Sequence, residues 1–143
     1  MLHQYLIPIL PLLNMKNILF VCIENSNRSQ MAQAFAKIHG HSLVTAYSAG
    51  SRPSGKVNPK AIAAMSDLNY DLSKHESKST QHYADKSFEY VITMGCGDEC
   101  PFIPAKHTLD WDIPDPRDMP EHQFNKIRDL IETKVIDLLK KIA

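Results

Sequence analysis

Residues 17–21, Asn-Ile-Leu-Phe-Val, are apolar at almost every position. A run this short, with β-branched content, predicts a strand buried on both faces, as in parallel sheets. A polar stretch from Glu24 to Ser29 follows, and then Met31, Phe35 and Ile38 recur at helical spacing up to Gly40, a suitable helix stop. Leu43, Val44 and Tyr47 mark a second strand over 42–48. Asn58-Pro59 reads as an N-cap with proline at the first helical position, and Ile62, Met65 and Leu68 form one face of the helix behind it. A third strand is expected over 89–94, centred on Val91 and Ile92, and a fourth over 107–113. Asp118 with Glu121 resembles a capping box. Beyond it Phe124, Ile127, Ile131, Val135, Leu138 and Ile142 trace the apolar stripe of a long C-terminal helix.

Strands alternating with helices predict an α/β domain: a parallel sheet covered on both faces, with few topologies open to it. In such sheets ligands bind beyond the carboxyl ends of the strands. Cys22 lies at that end of the first strand, Cys96 just past that of the third, and Asp115 after the fourth. The domain is expected to span residues 15–143. Residues 1–14 are apolar but too short to cross a bilayer, lack the flanks of a signal peptide, and carry Pro8 and Pro11. They read as an extension outside the fold, with Met15 as a second start.

Composition narrows the picture. The chain has 143 residues, enough for one domain with its own core. Sixteen basic and sixteen acidic residues balance, which gives no reason to expect nucleic acid or an anionic membrane as a partner. Three cysteines without a secretion signal point to a reducing, cytoplasmic setting with free thiols.

The chemistry concentrates in Cys22-Ile23-Glu24-Asn25-Ser26-Asn27-Arg28-Ser29. A loop of this length between a buried strand and a helix can curl around a tetrahedral anion, its backbone N–H groups forming a nest. The helix N-terminus adds positive potential, and the planar fork of Arg28 can grip two oxygens. The same field favours a thiolate, which makes Cys22 the candidate nucleophile. Ser29 can donate to the sulfur and Asn25 can tie the loop to itself. A buried, inert cysteine beside an ordinary loop is the plainer alternative. Near the fourth strand Asp110, Asp112, Asp115 and Asp118 compete for the part of general acid, and spacing alone does not choose among them.

With FVCIENSNRSQMA, the YSAG turn, VNPKAI, VITMGCGDECP and the Asp115-Pro116 pair, residues 16–143 resemble the low-molecular-weight protein tyrosine phosphatase superfamily, and within it the arsenate reductases. The resemblance implies a four-stranded parallel sheet flanked by helices, flavodoxin-like in character. It implies Cys22 as nucleophile, Arg28 as oxyanion clamp, Asn25 and Ser29 as loop-shaping and sulfur-stabilising residues, and Asp115 as general acid.

Two activities follow from one start. A phosphatase hydrolyses a cysteinyl-phosphate made from phosphotyrosine or an aryl phosphate. An arsenate reductase needs a second thiol to attack the sulfur of the arsenic adduct. Cys96 and Cys100 are the candidates, although their spacing is tighter than is common in thioredoxin-coupled members, and both can equally be bystanders. Gln30 and the lack of a tyrosine pair after Asp115-Pro116 favour the reductase side. Asn27 stands where many relatives have cysteine, and Gln33 where many have a potassium-binding glutamate, so bound potassium is not expected. The reading calls for no bound cofactor or metal, only an external reductant such as thioredoxin, glutaredoxin with glutathione, or another small thiol. A third reading is an oxyanion-binding or thiol-sensing module without catalysis. His39, His41, His75 and His122 read as surface or helix-end residues, and Trp111 as a packing residue or pocket wall.

Overall fold

The computed structural model describes residues 15–143; the expectation for residues 1–14 lies outside them. Four strands form one sheet: β1 (Lys16–Cys22), β2 (Val44–Gly50), β3 (Phe88–Thr93) and β4 (Ala105–Asp110). Their order is β2-β1-β3-β4 and every pairing is parallel. The helices are α1 (Arg28–Gly40), α2 (Pro59–Ser66) and α3 (Glu121–Ile142).

β1 is buried as its composition predicts, and its side chains divide between two cores. Ile18, Phe20 and Cys22 face α1 and α3, in a cluster with Met31, Phe35, Met65, Phe124, Ile131 and Val135. Leu19 and Val21 face the other side, with Phe88, Val91, Tyr83 and Ile103. The sheet is thus covered on both faces, but the second cover is made of short turns and loops rather than long helices. Residues Thr80–Tyr83 and the chain leading into β4 supply it.

Several local expectations are met. Asn58 caps α2, its side chain accepting from Lys60 N at 2.9 Å with Pro59 at the first turn. Trp111 packs on Phe20, ring centroids 5.9 Å apart. Others need correction. No capping box forms at Asp118: α3 starts behind Pro120 with no side-chain cap. β4 begins and ends earlier than expected, because the chain leaves the sheet at Asp110, whose carboxylate is taken up by Thr93 and Gly95. Ile38 and Leu68 lie at the solvent edge, Leu68 because α2 has already ended at Ser66. Gly40 does end α1, but for a packing reason. A Cβ there would sit 2.7 Å from the Leu139 side chain, so the glycine lets α1 and α3 approach closely.

The order β2-β1-β3-β4 matters for function. The chain passes from β1 to β2 on one side and then crosses to β3 on the other side of β1, and this reversal opens a crevice at the carboxyl ends of β1 and β3. Cys22 ends β1 at that crevice.

Candidate active site

The loop from Cys22 to Arg28 is shaped from behind by its carbonyls. Ser51 N donates to Cys22 O, Arg52 N to Ile23 O, Ser54 N to Glu24 O, Asn58 N to Ser26 O and Met31 N to Asn27 O. Gln30 Nε2 takes the remaining one, Asn25 O, at 3.0 Å. With the carbonyls turned outward, the N–H groups of the same peptides turn inward. Among the described residues those of Glu24 to Arg28 meet no acceptor in the turns, loops or side chains, which is the condition of an anion nest. Asn25 makes the curl, with φ at 51°, a left-handed conformation that asparagine tolerates better than most residues. Gly50, paired with Cys22 in the sheet register, is also required. A Cβ there would lie 2.6 Å from Ile23 O and 2.9 Å from Asn25 N.

Behind the nest runs a chain of hydrogen bonds whose polarity can be assigned throughout. Gln30 Nε2 lies near the main-chain oxygens of Asn25 and Glu76, so its other amide atom, Oε1, is the acceptor facing His75 Nδ1 at 2.9 Å. His75 therefore carries its proton on Nδ1, and Nε2 accepts from the Tyr70 hydroxyl at 2.6 Å. Gln30 Nε2 also donates to Asn25 Oδ1, which accepts from Lys78 N as well. That fixes Asn25 Nδ2 as the donor to Ser29 Oγ at 2.8 Å, and Ser29 in turn points its proton at Cys22 Sγ, 2.9 Å away. Every donor in the series Tyr70, His75, Gln30, Asn25, Ser29 points toward the sulfur, the arrangement that stabilises negative charge there. Burial, with a smaller contribution from the Lys37 charge, holds the His75 imidazole neutral by lowering its pKa to about 4. Burial, and then Asp71, keeps the Tyr70 phenol protonated by raising its pKa. His75 is thus a helix-end residue, as expected from sequence, at the C-cap of the 3-10 turn Leu72–Lys74, but it is also a part-buried member of the site, a place the sequence did not assign it.

Arg28 is buried at the first turn of α1. Its Nη1 donates to Met94 O at 2.6 Å and to Ile113 O at 2.9 Å, the carbonyls beyond β3 and β4. One nitrogen is thereby fixed to the frame. The expected two-pronged grip falls to Nε and Nη2, which find no protein acceptor among the described residues. Gly95, at φ 77°, lets the chain turn beside this guanidinium.

A crevice of about 450 Å³ opens over the loop, lined by Cys22, Ile23, Glu24, Ser26, Asn27, Arg28, Arg52, Asp115 and Arg117. Asp115 alone of the four competing aspartates lines it; Asp110 is engaged with Thr93 and Gly95. Asp115 Oδ1 accepts from Arg117 N at 3.1 Å, which holds the carboxyl over the crevice. Lys60 braces the same loop from α2, donating to Arg117 O and Met119 O.

Sequence reading missed Arg52 and Arg117, which form the cationic rim. Each is engaged by an acid, Arg117 with Glu24 at 2.9 Å and Arg52 with Glu99 at 2.7 Å. Arg52 had one available signal, its place two residues beyond the YSAG turn that ends beside Cys22. The expectation of free thiols holds only for Cys22, which is unpaired and buried. Cys96 and Cys100 are joined as a disulfide, Cα atoms 5.7 Å apart, and neither lines the crevice. Four residues apart around a one-turn 3-10 helix, they are close enough to bridge without rearranging the fold. Among the described residues no group of three or more His, Cys, Asp or Glu side chains converges as metal ligands would.

Known proteins resemble this chain over most of its length. The sequence signature described as low molecular weight phosphotyrosine protein phosphatase matches residues 17–143. A glutaredoxin arsenate reductase of Synechocystis sp. is 33% identical over 132 residues, covering 90% of this chain and 100% of the relative. An arsenate reductase of Staphylococcus aureus is 37% identical over 124 residues, covering 84% and 93%. A solved structure described as an arsenate reductase in the phosphate binding state superposes with a TM-score of 0.81 at 34% identity. It covers 90% of this chain and 100% of its own.

Proposed function

The chain belongs to the low molecular weight phosphotyrosine protein phosphatase family, and from that premise we propose that it is an arsenate reductase-like enzyme in which Cys22 attacks a bound arsenate. Arsenate is held by the nest and by the uncommitted edge of Arg28. The Cys22 sulfur attacks arsenic, and Asp115 donates its proton to the departing oxygen, which leaves as water. One of Cys96 and Cys100 then attacks the Cys22 sulfur. The electron pair of the arsenic–sulfur bond stays with arsenic, which leaves as arsenite, and a disulfide to Cys22 remains. The other cysteine of the pair attacks that disulfide, returning Cys22 as a thiol and closing Cys96 onto Cys100. An external dithiol, from thioredoxin or from glutaredoxin with glutathione, restores the two thiols in the cytoplasm.

The observation that carries this reading over simple hydrolysis is the distribution of thiols. Cys96 and Cys100 stand close enough to pair, Cα atoms 5.7 Å apart, while Cys22 has no partner, so the chain carries a second pair of sulfurs that can close on each other as Cys22 is returned. The crevice adds support: none of its described lining residues is aromatic, so nothing stacks on a phosphotyrosine ring. A small inorganic oxyanion needs no such wall.

Arsenite release by the purified protein, with thioredoxin, glutaredoxin plus glutathione, and dithiothreitol supplied in parallel, tests the proposal beside an aryl phosphate hydrolysis assay. Arsenite production that vanishes in Cys22→Ser is the expected outcome. Strong ester hydrolysis without arsenite would make the protein a phosphatase.

A further inference from the structure

The two rim arginines differ in one respect. Arg117 is paired with Glu24, a residue of the anion loop itself. Arg52 is paired with Glu99, which lies inside the turn closed by the Cys96–Cys100 bond. The backbone of Arg52 is anchored to the anion loop, its N–H donating to Ile23 O at 2.8 Å, and its side chain lines the crevice. Glu99 is held in place by its own N–H to Cys96 O at 3.0 Å and by the covalent link one residue on.

We infer that Arg52 is a further oxyanion ligand whose availability is set by the redox state of Cys96 and Cys100. The inference rests on the crevice being an oxyanion site. With the disulfide closed, Glu99 occupies the Arg52 guanidinium and places a negative charge near the crevice. Reduction by an external dithiol breaks the sulfur–sulfur bond, leaves two thiols on the protein and oxidises the dithiol to its own disulfide. The turn then loses its covalent closure, Glu99 is released, and Arg52 swings to the anion. Both changes act in one direction, adding a cation and removing an anion. Because the Arg52–Glu99 pair is mostly exposed, with side chains 72% and 54% accessible, it is cheap to break. The reduced form should therefore bind a dianion about fivefold more tightly, the scale of an exposed ion pair. By linkage, a saturating anion should make the disulfide easier to reduce by the same factor, about 20 mV for a two-electron couple. The consequence is order in the cycle: an enzyme whose thiols are spent holds oxyanion poorly until it is recharged.

The test is calorimetric titration of the full chain with inorganic phosphate, a redox-inert stand-in, at low ionic strength. The disulfide form is compared with protein reduced by a phosphine and, separately, with the Cys96→Ser/Cys100→Ser double variant. Tighter binding by both thiol-state proteins is expected. Glu99→Gln should bring the disulfide form to the reduced affinity, Arg52→Ala should bind weakly in both states, and Arg52→Lys should restore part of the difference. Equal affinity of the two wild-type forms, or a redox difference that survives in Arg52→Ala, would overturn the assignment while leaving the oxyanion site intact. No phosphate binding in either form would remove the oxyanion reading, and this one with it.

Discussion

His75 stands four hydrogen bonds away from the Cys22 sulfur, through Gln30, Asn25 and Ser29. Its neutrality is what lets the series run in one direction: a protonated Nε2 could not accept from Tyr70. The depressed pKa of about 4 lies below the ordinary value near 6.5, so between those limits the unfolded chain takes up a proton that the folded one refuses. The stability tied to this residue is therefore full above about pH 6.5 and is lost as pH falls toward 4. Allowing for screening at a half-exposed group, the loss is on the order of 2 kcal/mol. Urea unfolding at pH 7 and pH 4.5 should show this acid limb in the wild type and a flatter one in His75→Asn. Identical pH dependence in the two proteins would count against the assignment. Residues of this kind were not legible in the sequence. Cys22, Asn25, Arg28 and Ser29 are neighbours in one segment and declare themselves by spacing. His75, Arg52 and Arg117 reach the site from separate loops, where no periodicity marks them.

At the scale of elements, the nest depends as much on the end of β2 as on its own residues. The segment from Ser51 to Asn58 supplies four of the donors that hold the loop carbonyls outward. Gly50 permits that contact, since any side chain would press on Ile23 O and Asn25 N, both backbone atoms that cannot swing aside. Gly50→Ala should therefore leave the sheet folded but displace the loop, with phosphate affinity reduced at least tenfold by titration and a stability loss of about 1–3 kcal/mol. Unchanged affinity would show that the nest is not held by β2. Here the sequence was informative in part. Buried strands and the Asn58-Pro59 cap follow from local rules and were legible. The ends of β4 and the start of α3 were not, because tertiary contacts of Asp110 and the turn before Glu121 decide them.

The molecule places the unpaired Cys22 thiol at the crevice and the Cys96–Cys100 pair behind the Arg52–Glu99 ion pair of its rim. The sequence anticipated Cys22, Cys96 and Asp115 at one edge of the parallel sheet; Cys22 and Asp115 line the crevice there together with Arg28, and Cys96 does not. What it could not carry was the pairing of Cys96 with Cys100, since a spacing of four fits a disulfide and two free thiols alike. Nor could it choose Asp115 without resemblance, because four aspartates crowd nine residues; only the crevice separates them. In the proposed relay the electrons for arsenate reduction come from this chain's own thiols. Fully reduced protein, freed of external thiol and given arsenate for a single turnover, tests it most directly, with arsenite counted and the cysteines mapped by mass spectrometry. The relay should yield about one arsenite per chain, with Cys22 as a thiol and Cys96 joined to Cys100. Absence of arsenite until an external thiol is added, with Cys96 and Cys100 still reduced, would contradict it.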